Sequence, residues 1–347
     1  MRSLLTQLLL RAWQGNTVIV WLLLPVSWLY GLLLGMRRAL FAIGWWRVHH
    51  PSVCVVVVGN VVAGGAGKTP TVLSVIQHLR ASGWAVGIIS KGYGRTVSNT
   101  IEVSVDAQVQ MVGDEALLLR QRSGTPVFVG PSRQDSLRAL LHTYPQTRVV
   151  VCDDGLQDYS LYHDVEICMM PEDGLGKGYL LPAGPLREPW PRKALACAGV
   201  NDAQLLVVSS GTSFAGAFTA RRRLGLIARR ADGTSCAVSS LQADPAVKAL
   251  AGIARPTQFF GMLEAAGLTL AARVALPDHA DFAGFTRKSL GPYTLLCTEK
   301  DAAKLWAIAP DAWAVPLEQS LDAHFYTALD ARIASALAGR LSSPHGH

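Results

Sequence analysis

Two kinds of apolar run divide this chain. Residues 16–36 carry no formal charge and are dense in Leu, Val, Ile and Trp. Beyond them the apolar runs are short and rich in β-branched residues, at 53–58, 85–90, 126–129, 148–152 and 205–208. Runs of that length without a polar alternate predict strands covered on both faces. Between them the apolar period lengthens to that of a helix: Val72, Val75, Ile76 and Leu79 predict a helix over 71–81, and further helices are predicted over 115–121 and 133–142. Strand and helix in alternation predict an α/β fold with a parallel sheet joined by right-handed crossovers. The Gly- and Pro-dense stretch 174–192 predicts an ordered loop or lid. From 211 onward the composition turns to Ala, Ser and Gly, and a smaller α/β domain is predicted. It contains a helix over 256–266, strands over 273–276 and 294–297, and a helix after Asp301.

The organisation expected is therefore an anchor and juxtamembrane segment at 1–50, a first α/β domain at 51–210, a smaller domain at 211–341 that closes over it, and a frayed tail at 342–347. At a rise of about 1.5 Å per residue, roughly 20 apolar residues just cover a bilayer core of about 30 Å. Pro25 and Gly31 are expected to interrupt that segment. Arg2 and Arg11 precede it, and Arg37, Arg38 and Arg47 follow with Trp45 and Trp46, the composition of a cytoplasmic interfacial flank. A retained membrane anchor is expected, spanning the bilayer or lying in its interface, rather than a cleaved leader.

Charge and cysteine narrow the field. The net charge of +7 is moderate. A second basic cluster, Arg221, Arg222, Arg223, Arg229 and Arg230, reads as solvated surface, and no interleaving with aromatic residues supports a nucleic-acid partner. The six cysteines form no Cys-x-x-Cys pair, and Cys54, Cys152 and Cys297 sit inside strand-like runs as small core hydrophobes. Neither a zinc site nor a disulfide framework is expected.

The chemistry begins after residue 58. Gly59-Asn60-Val61 leads through Val62, Ala63, Gly64, Gly65, Ala66 and Gly67 to Lys68, Thr69 and Pro70 at a predicted helix start. A buried strand, a glycine-rich turn and Gly-Lys-Thr form a P-loop, in which backbone N–H groups surround nucleotide phosphates, Lys68 neutralises charge and the Thr69 hydroxyl is available to Mg²⁺. The loop is a variant, with Val62 where the usual pattern has glycine. At 148–154 an apolar strand ends in Asp153 and Asp154, the form of an acidic Mg²⁺-holding strand end. Gly113-Asp114-Glu115 opens a helix; by itself it is an ordinary acidic first turn. His279 is, by itself, a loop histidine.

Together these segments resemble one family. The variant P-loop, Ser90-Lys91-Gly92-Tyr93-Gly94-Arg95, Val112-Gly113-Asp114-Glu115, Asp153-Asp154-Gly155-Leu156-Gln157, the run 181–188 reading Leu-Pro-Ala-Gly-Pro-Leu-Arg-Glu, Pro277-Asp278-His279 and Thr298-Glu299-Lys300-Asp301 are similar to the tetraacyldisaccharide 4'-kinases of lipid A synthesis. The resemblance implies transfer of the γ-phosphate of Mg-ATP to the 4'-hydroxyl of an acylated glucosamine disaccharide 1-phosphate, at the cytoplasmic face of the inner membrane. It implies ATP and Mg²⁺ as cofactors and a lipid substrate, with no obligate protein partner. It also implies roles: Lys68 and Thr69 on phosphate and metal; Glu115, Asp153, Asp154 and Glu188 as acids of the Mg²⁺ site; Asp114 as the base, oriented by His279. Three positions depart from the family pattern: Lys91 replaces an arginine, Asp158 a histidine and Ser209 a frequent asparagine. The alternatives from the residues alone are a membrane-tethered ATPase switch acting on a protein and a soluble small-molecule kinase.

Overall fold

The computed structural model describes residues 13, 18–65, 67–172, 174–201, 204–211, 214 and 216–342. Arg2, Arg11, Asn16, Ala66 and the tail from 343 lie outside the described residues. Among the described residues the first long element is helix α1 (Val18–Ala42), which runs through both Pro25 and Gly31 instead of breaking there. Its buried positions, Val20, Leu24 and Ser27, recur at helical spacing and face the loop that carries Tyr179 and Ala183. Ser27 Oγ donates to Leu180 O at 2.7 Å and accepts from Ala183 N at 3.0 Å, and Tyr30 donates to Arg187 O at 2.7 Å. Gly31 sits where a Cβ would come within 3.0 Å of Leu180, so the close approach of helix and loop depends on the absent side chain. Arg38, expected at the lipid flank, instead donates to the Tyr159 hydroxyl at 2.8 Å.

The first domain follows the predicted alternation: β1 (Cys54–Gly59), α2 (Lys68–Ala81), β2 (Val86–Ser90), β3 (Ile101–Glu102), α3 (Val109–Val112), α4 (Asp114–Ser123), β4 (Val127–Val129), α5 (Arg133–Thr143), β5 (Val149–Asp153), β6 (Val165–Met170) and β7 (Leu205–Ser209). β1 lies between β5 and β6 and is parallel to both. Every β1 residue is buried, which is why its sequence is an unbroken apolar run. The chain winds to β2 and β4 on one side of β1 and to β6 and β7 on the other, so the winding reverses at its carboxyl end, where ligands bind in such sheets.

The remaining elements are β8 (Phe218–Leu224), β9 (Ile227–Arg229), β10 (Ser235–Ala237), β11 (Val247–Ala251), α6 (Pro256–Ala265), β12 (Leu270–Ala275), β13 (Thr294–Thr298), α7 (Glu299–Leu305), β14 (Trp313–Val315), β15 (Leu317–Leu321) and α8 (Ala323–Ser342). The first sheet has the order β15-β8-β7-β6-β1-β5-β2-β4-β3, and the second β10-β9-β14-β13-β11-β12. The boundary expected at 210–211 is thus corrected: β8, β15 and α8 belong to the first domain, and the second sheet is a unit inserted between them. The reason lies in apolar contact, because Phe325, Leu329, Ile333 and Leu337 of α8 close one face of the first core. Phe325 is fully buried, edge-on to Phe218 at 5.7 Å. Phe325→Ala is expected to destabilise the protein by about 3–5 kcal/mol, the usual cost of an aromatic-sized void. A thermal midpoint within a degree of wild type would contradict that packing.

In the second sheet β11 to β14 run parallel. Their carboxyl ends carry residues 252–256, 277–279 and 298–301. These face the carboxyl end of β1 across a cleft.

Candidate active site

The cleft holds about 490 Å³ and is lined from both domains: by Gly64, Gly65, Gly67, Lys68, Thr69, Glu115, Asp154 and Arg187 on one side, and by Ile253, Phe259, Asp278, His279 and Lys300 on the other. Its floor is the glycine-rich turn. Asn60, fully buried at the end of β1, donates from Nδ2 to Gly64 O at 3.1 Å and accepts from Lys68 Nζ at 3.4 Å, fixing both ends of the turn. Gly67 adopts φ +80° immediately before α2, a conformation that excludes a side chain at low cost and leaves the backbone open to a ligand. Of the loop residues expected to bind nucleotide, Val62 is buried in the apolar core. Ala63 does not line the cleft, and its amide donates to Pro185 O at 2.7 Å. A valine is tolerated in place of the usual glycine because the 181–188 loop braces that part of the turn, with Arg187 N donating to Val61 O at 2.7 Å.

Asp153 and Asp154 end β5 beside the turn. Asp154, at φ +49°, is 3.6 Å from Lys68 Nζ, and both of its carboxylate oxygens accept from Arg187 Nη1, at 3.0 and 3.2 Å. Burial opposes its charge, but Lys68 and Arg187 outweigh that and hold its carboxyl below the usual range. Asp153 is different. Burial first, then the charges of Glu115 and Asp154, push it up to about 7. Its Oδ2 accepts from Ser90 Oγ at 3.3 Å, whereas its Oδ1 is buried with no hydrogen-bond partner.

That orphaned oxygen bears on Mg²⁺. Among the described residues no three His, Cys, Asp or Glu side chains converge as a ready-made chelate. Mg²⁺ in nucleotide sites keeps several waters and takes one or two carboxylates with the phosphate oxygens. One unsatisfied carboxylate oxygen, with further acids raising its proton affinity, is a donor set that fits such an ion. Glu188 has partners of its own. Its carboxylate accepts from Gln157 at 2.7 Å and Tyr159 at 3.0 Å and pairs with Arg192 at 3.2 Å, and it is absent from the cleft lining. Arg192, four residues further along the same loop, is the cation paired with it.

Asp114 opens α4 after Gly113, whose φ of +88° lets the Gly92-Tyr93 backbone pack against it. Its carboxylate, 3 % exposed, meets His279 Nδ1 at 3.0 Å, so the two residues paired by the resemblance do meet across the domains. Burial again opposes the charge. The His279 hydrogen bond, Lys300 and Lys304 overcome it and hold Asp114 well below the usual carboxylate range. His279, at φ +61°, lines the cleft and packs its ring 4.9 Å from that of Tyr93. Glu115 pairs with Lys300 at 3.1 Å.

Lys304 was not singled out from sequence, yet its Nζ lies 2.6 Å from Asp114 Oδ2. The available signal was its spacing four residues after Lys300, on the same helical face. Of the departures, Asp158 accepts from Arg133 at 2.9 Å and from Ser160 at 2.6 Å, an internal pair rather than a cleft contact. Lys91 is exposed.

Known proteins resemble this chain over nearly its whole length. A family profile described as tetraacyldisaccharide-1-P 4'-kinase matches residues 19–334. A tetraacyldisaccharide 4'-kinase of Polaromonas naphthalenivorans is 48% identical, covering 98% of each chain, and one of Acidovorax ebreus is 46% identical, covering 96% of each. A crystal structure of LpxK from Aquifex aeolicus in complex with ATP superposes with a TM-score of 0.75 at 26% identity, covering 91% of this chain and 100% of that one. These matches do not favour the regulatory-ATPase alternative. With the P-loop, the acidic strand end and the Asp114–His279 pair in one cleft, the chain belongs to the tetraacyldisaccharide 4'-kinase family.

Proposed function

We infer that this protein transfers the γ-phosphate of ATP to the 4'-hydroxyl of a tetraacylated glucosamine disaccharide 1-phosphate. The observation that carries the reading is the Asp114–His279 contact at 3.0 Å, one residue from each domain, across the cleft from the P-loop. Phosphoryl transfer asks chiefly for in-line positioning and for neutralisation of the moving charge. The amides around Gly65 and Gly67, with Lys68, hold the triphosphate. Asp153 and Thr69, with Glu115 and Asp154 nearby, would hold Mg²⁺, which would supply further neutralisation. Asp114, kept ionised by its cationic neighbours, accepts the proton of the sugar hydroxyl late in the transfer. His279 fixes the orientation of the carboxylate.

The lipid explains helix α1. Apart from the stripe that packs on the 179–187 loop, α1 presents Trp21, Leu22, Trp28, Leu29, Leu32, Leu33 and Met36 to the exterior, followed by exposed Trp45 and Trp46. This helix is long and apolar enough to cross a membrane, and little of it is buried. Its attachment along one side favours lying in the membrane interface over a free span, with the cleft on the cytoplasmic side. A tetraacylated substrate stays in the bilayer, since each buried methylene contributes about 0.8 kcal/mol, so the enzyme works at the surface.

The purified protein, given γ-labelled ATP and the acylated disaccharide 1-phosphate, is expected to label the lipid and to release little phosphate without acceptor. Rapid hydrolysis without acceptor and no labelled lipid would reverse the reading.

A further inference from the structure

The arginine cluster that composition assigns to solvent does not stay together. β8 alternates, so Arg221 and Arg223 point outward while Arg222 turns toward the cleft. Its guanidinium lies across the P-loop: a Cβ at Gly67 would stand 2.9 Å from Arg222 Cζ. The side chain is 17% exposed, and burial lowers its proton affinity. Each guanidinium nitrogen has a neutral acceptor at hydrogen-bond limit: Nε to Gln319 at 3.4 Å, Nη1 to Gln258 at 3.2 Å and Nη2 to Ser210 at 3.4 Å. Among the described residues the acid paired with it is Glu172, 3.7 Å away and also engaged by Arg255 at 3.4 Å and by Gln258. A largely buried cation whose hydrogen bonds go to neutral acceptors, and whose ion pair with Glu172 is long and shared, is only partly compensated over an anion-binding turn. Charge-assisted bonds to phosphate oxygens run about 2.7–2.9 Å and are roughly twice as strong as neutral ones.

We propose that Arg222 is a phosphate-binding residue of the nucleotide site, reaching from β8 over Gly67 to the polyphosphate opposite Lys68. The inference rests on the reading of the cleft as an ATP site. Gln319 supports the placement: it pairs with Arg222 in the β15–β8 ladder and donates to Thr71 Oγ1 at 2.5 Å, tying the arginine's strand to the first turn of α2. The strand that carries Arg222 is thus joined to the P-loop helix within the first domain, while its guanidinium also reaches Gln258 of α6.

The test is the affinity of the full-length protein for a nonhydrolysable ATP analogue and for adenosine, by titration calorimetry, with the ligand-free thermal midpoint recorded alongside. Arg222→Met is expected to weaken the analogue about tenfold or more while leaving adenosine unchanged, and Arg222→Lys to recover part of the loss. Should the Met variant fold poorly, Arg222→Gln, which retains hydrogen-bonding capacity toward Gln319 and Ser210, is read in its place with the same expectation. Wild-type affinity for the analogue in either variant overturns the proposal, as does an equal loss for analogue and adenosine. Failure of the wild-type protein to bind the analogue would instead overturn the ATP-site reading itself.

Discussion

Asp114→Asn lowers kcat by about 10²–10⁴-fold, the span that a positioned proton acceptor contributes, while the KM for ATP changes little. Asparagine has the same size and still offers an oxygen to His279 or Lys304, but it has no charge with which to take the sugar proton. ATP binding survives because the P-loop is fixed by Asn60 and by the 181–188 loop, neither of which touches Asp114. The substitution also removes the counter-charge that Lys304 meets at 2.6 Å in a largely buried place, so some stability is lost as well. Steady-state kinetics must therefore be read beside the melting midpoint. A folded Asp114→Asn enzyme turning over at the wild-type rate would remove Asp114 from the chemistry.

The sequence exposed those parts of the fold in which burial acts on both faces at once. β1 and β5 are unbroken apolar runs because strands lie on both sides and helices lie above and below. β6, which completes the central position of β1, escapes the same reading because Glu166 interrupts it. That carboxylate is tolerated in the interior only through His163 at 2.7 Å and the Arg192 guanidinium, partners distant in sequence or unremarkable in it. β8 and β15 hide for another reason. They extend the edge of the first sheet, their alternating charges pair across the strands as Arg223 with Glu318, and such strands look like solvated loops. The spacing of Phe325, Leu329, Ile333 and Leu337 signals a helix, but periodicity does not say which sheet receives it; hence the domain boundary near 210 misplaces α8.

The site divides along the same line. Lys68, Thr69, Asp153 and Asp154 were legible because strand ends and a glycine turn constrain them locally. Asp114 and His279 became a pair only through a resemblance, because residues 165 apart meet solely by docking of the inserted domain. Glu188 enters the metal set only through its motif, and the contacts with Gln157, Tyr159 and Arg192 become visible only in the folded loop. Arg222 was hidden inside an arginine cluster whose members diverge only once the strand is formed.

The second large effect is expected at the P-loop. Lys68→Met keeps the length and apolar character of the side chain and removes its charge. kcat/KM for ATP is expected to fall about 10²–10³-fold, the cost of deleting one preorganised charge from a site where negative charge develops. The fold tolerates the change because Asp154, the acid 3.6 Å from Lys68 Nζ, keeps its closer pair with Arg187 at 3.0 Å. Lys68→Arg is expected to rescue little: the planar fork is bulkier than an ammonium, and the ammonium is seated between Asn60 and Asp154. The two variants separate binding from chemistry. Asp114→Asn acts on kcat alone, whereas Lys68→Met acts on both nucleotide affinity and rate, because the lysine meets the phosphates before and during transfer. Equal loss of adenosine and ATP-analogue affinity in Lys68→Met would mean that the turn had collapsed. Loss confined to the phosphorylated ligand is the outcome that a lysine acting on phosphate requires.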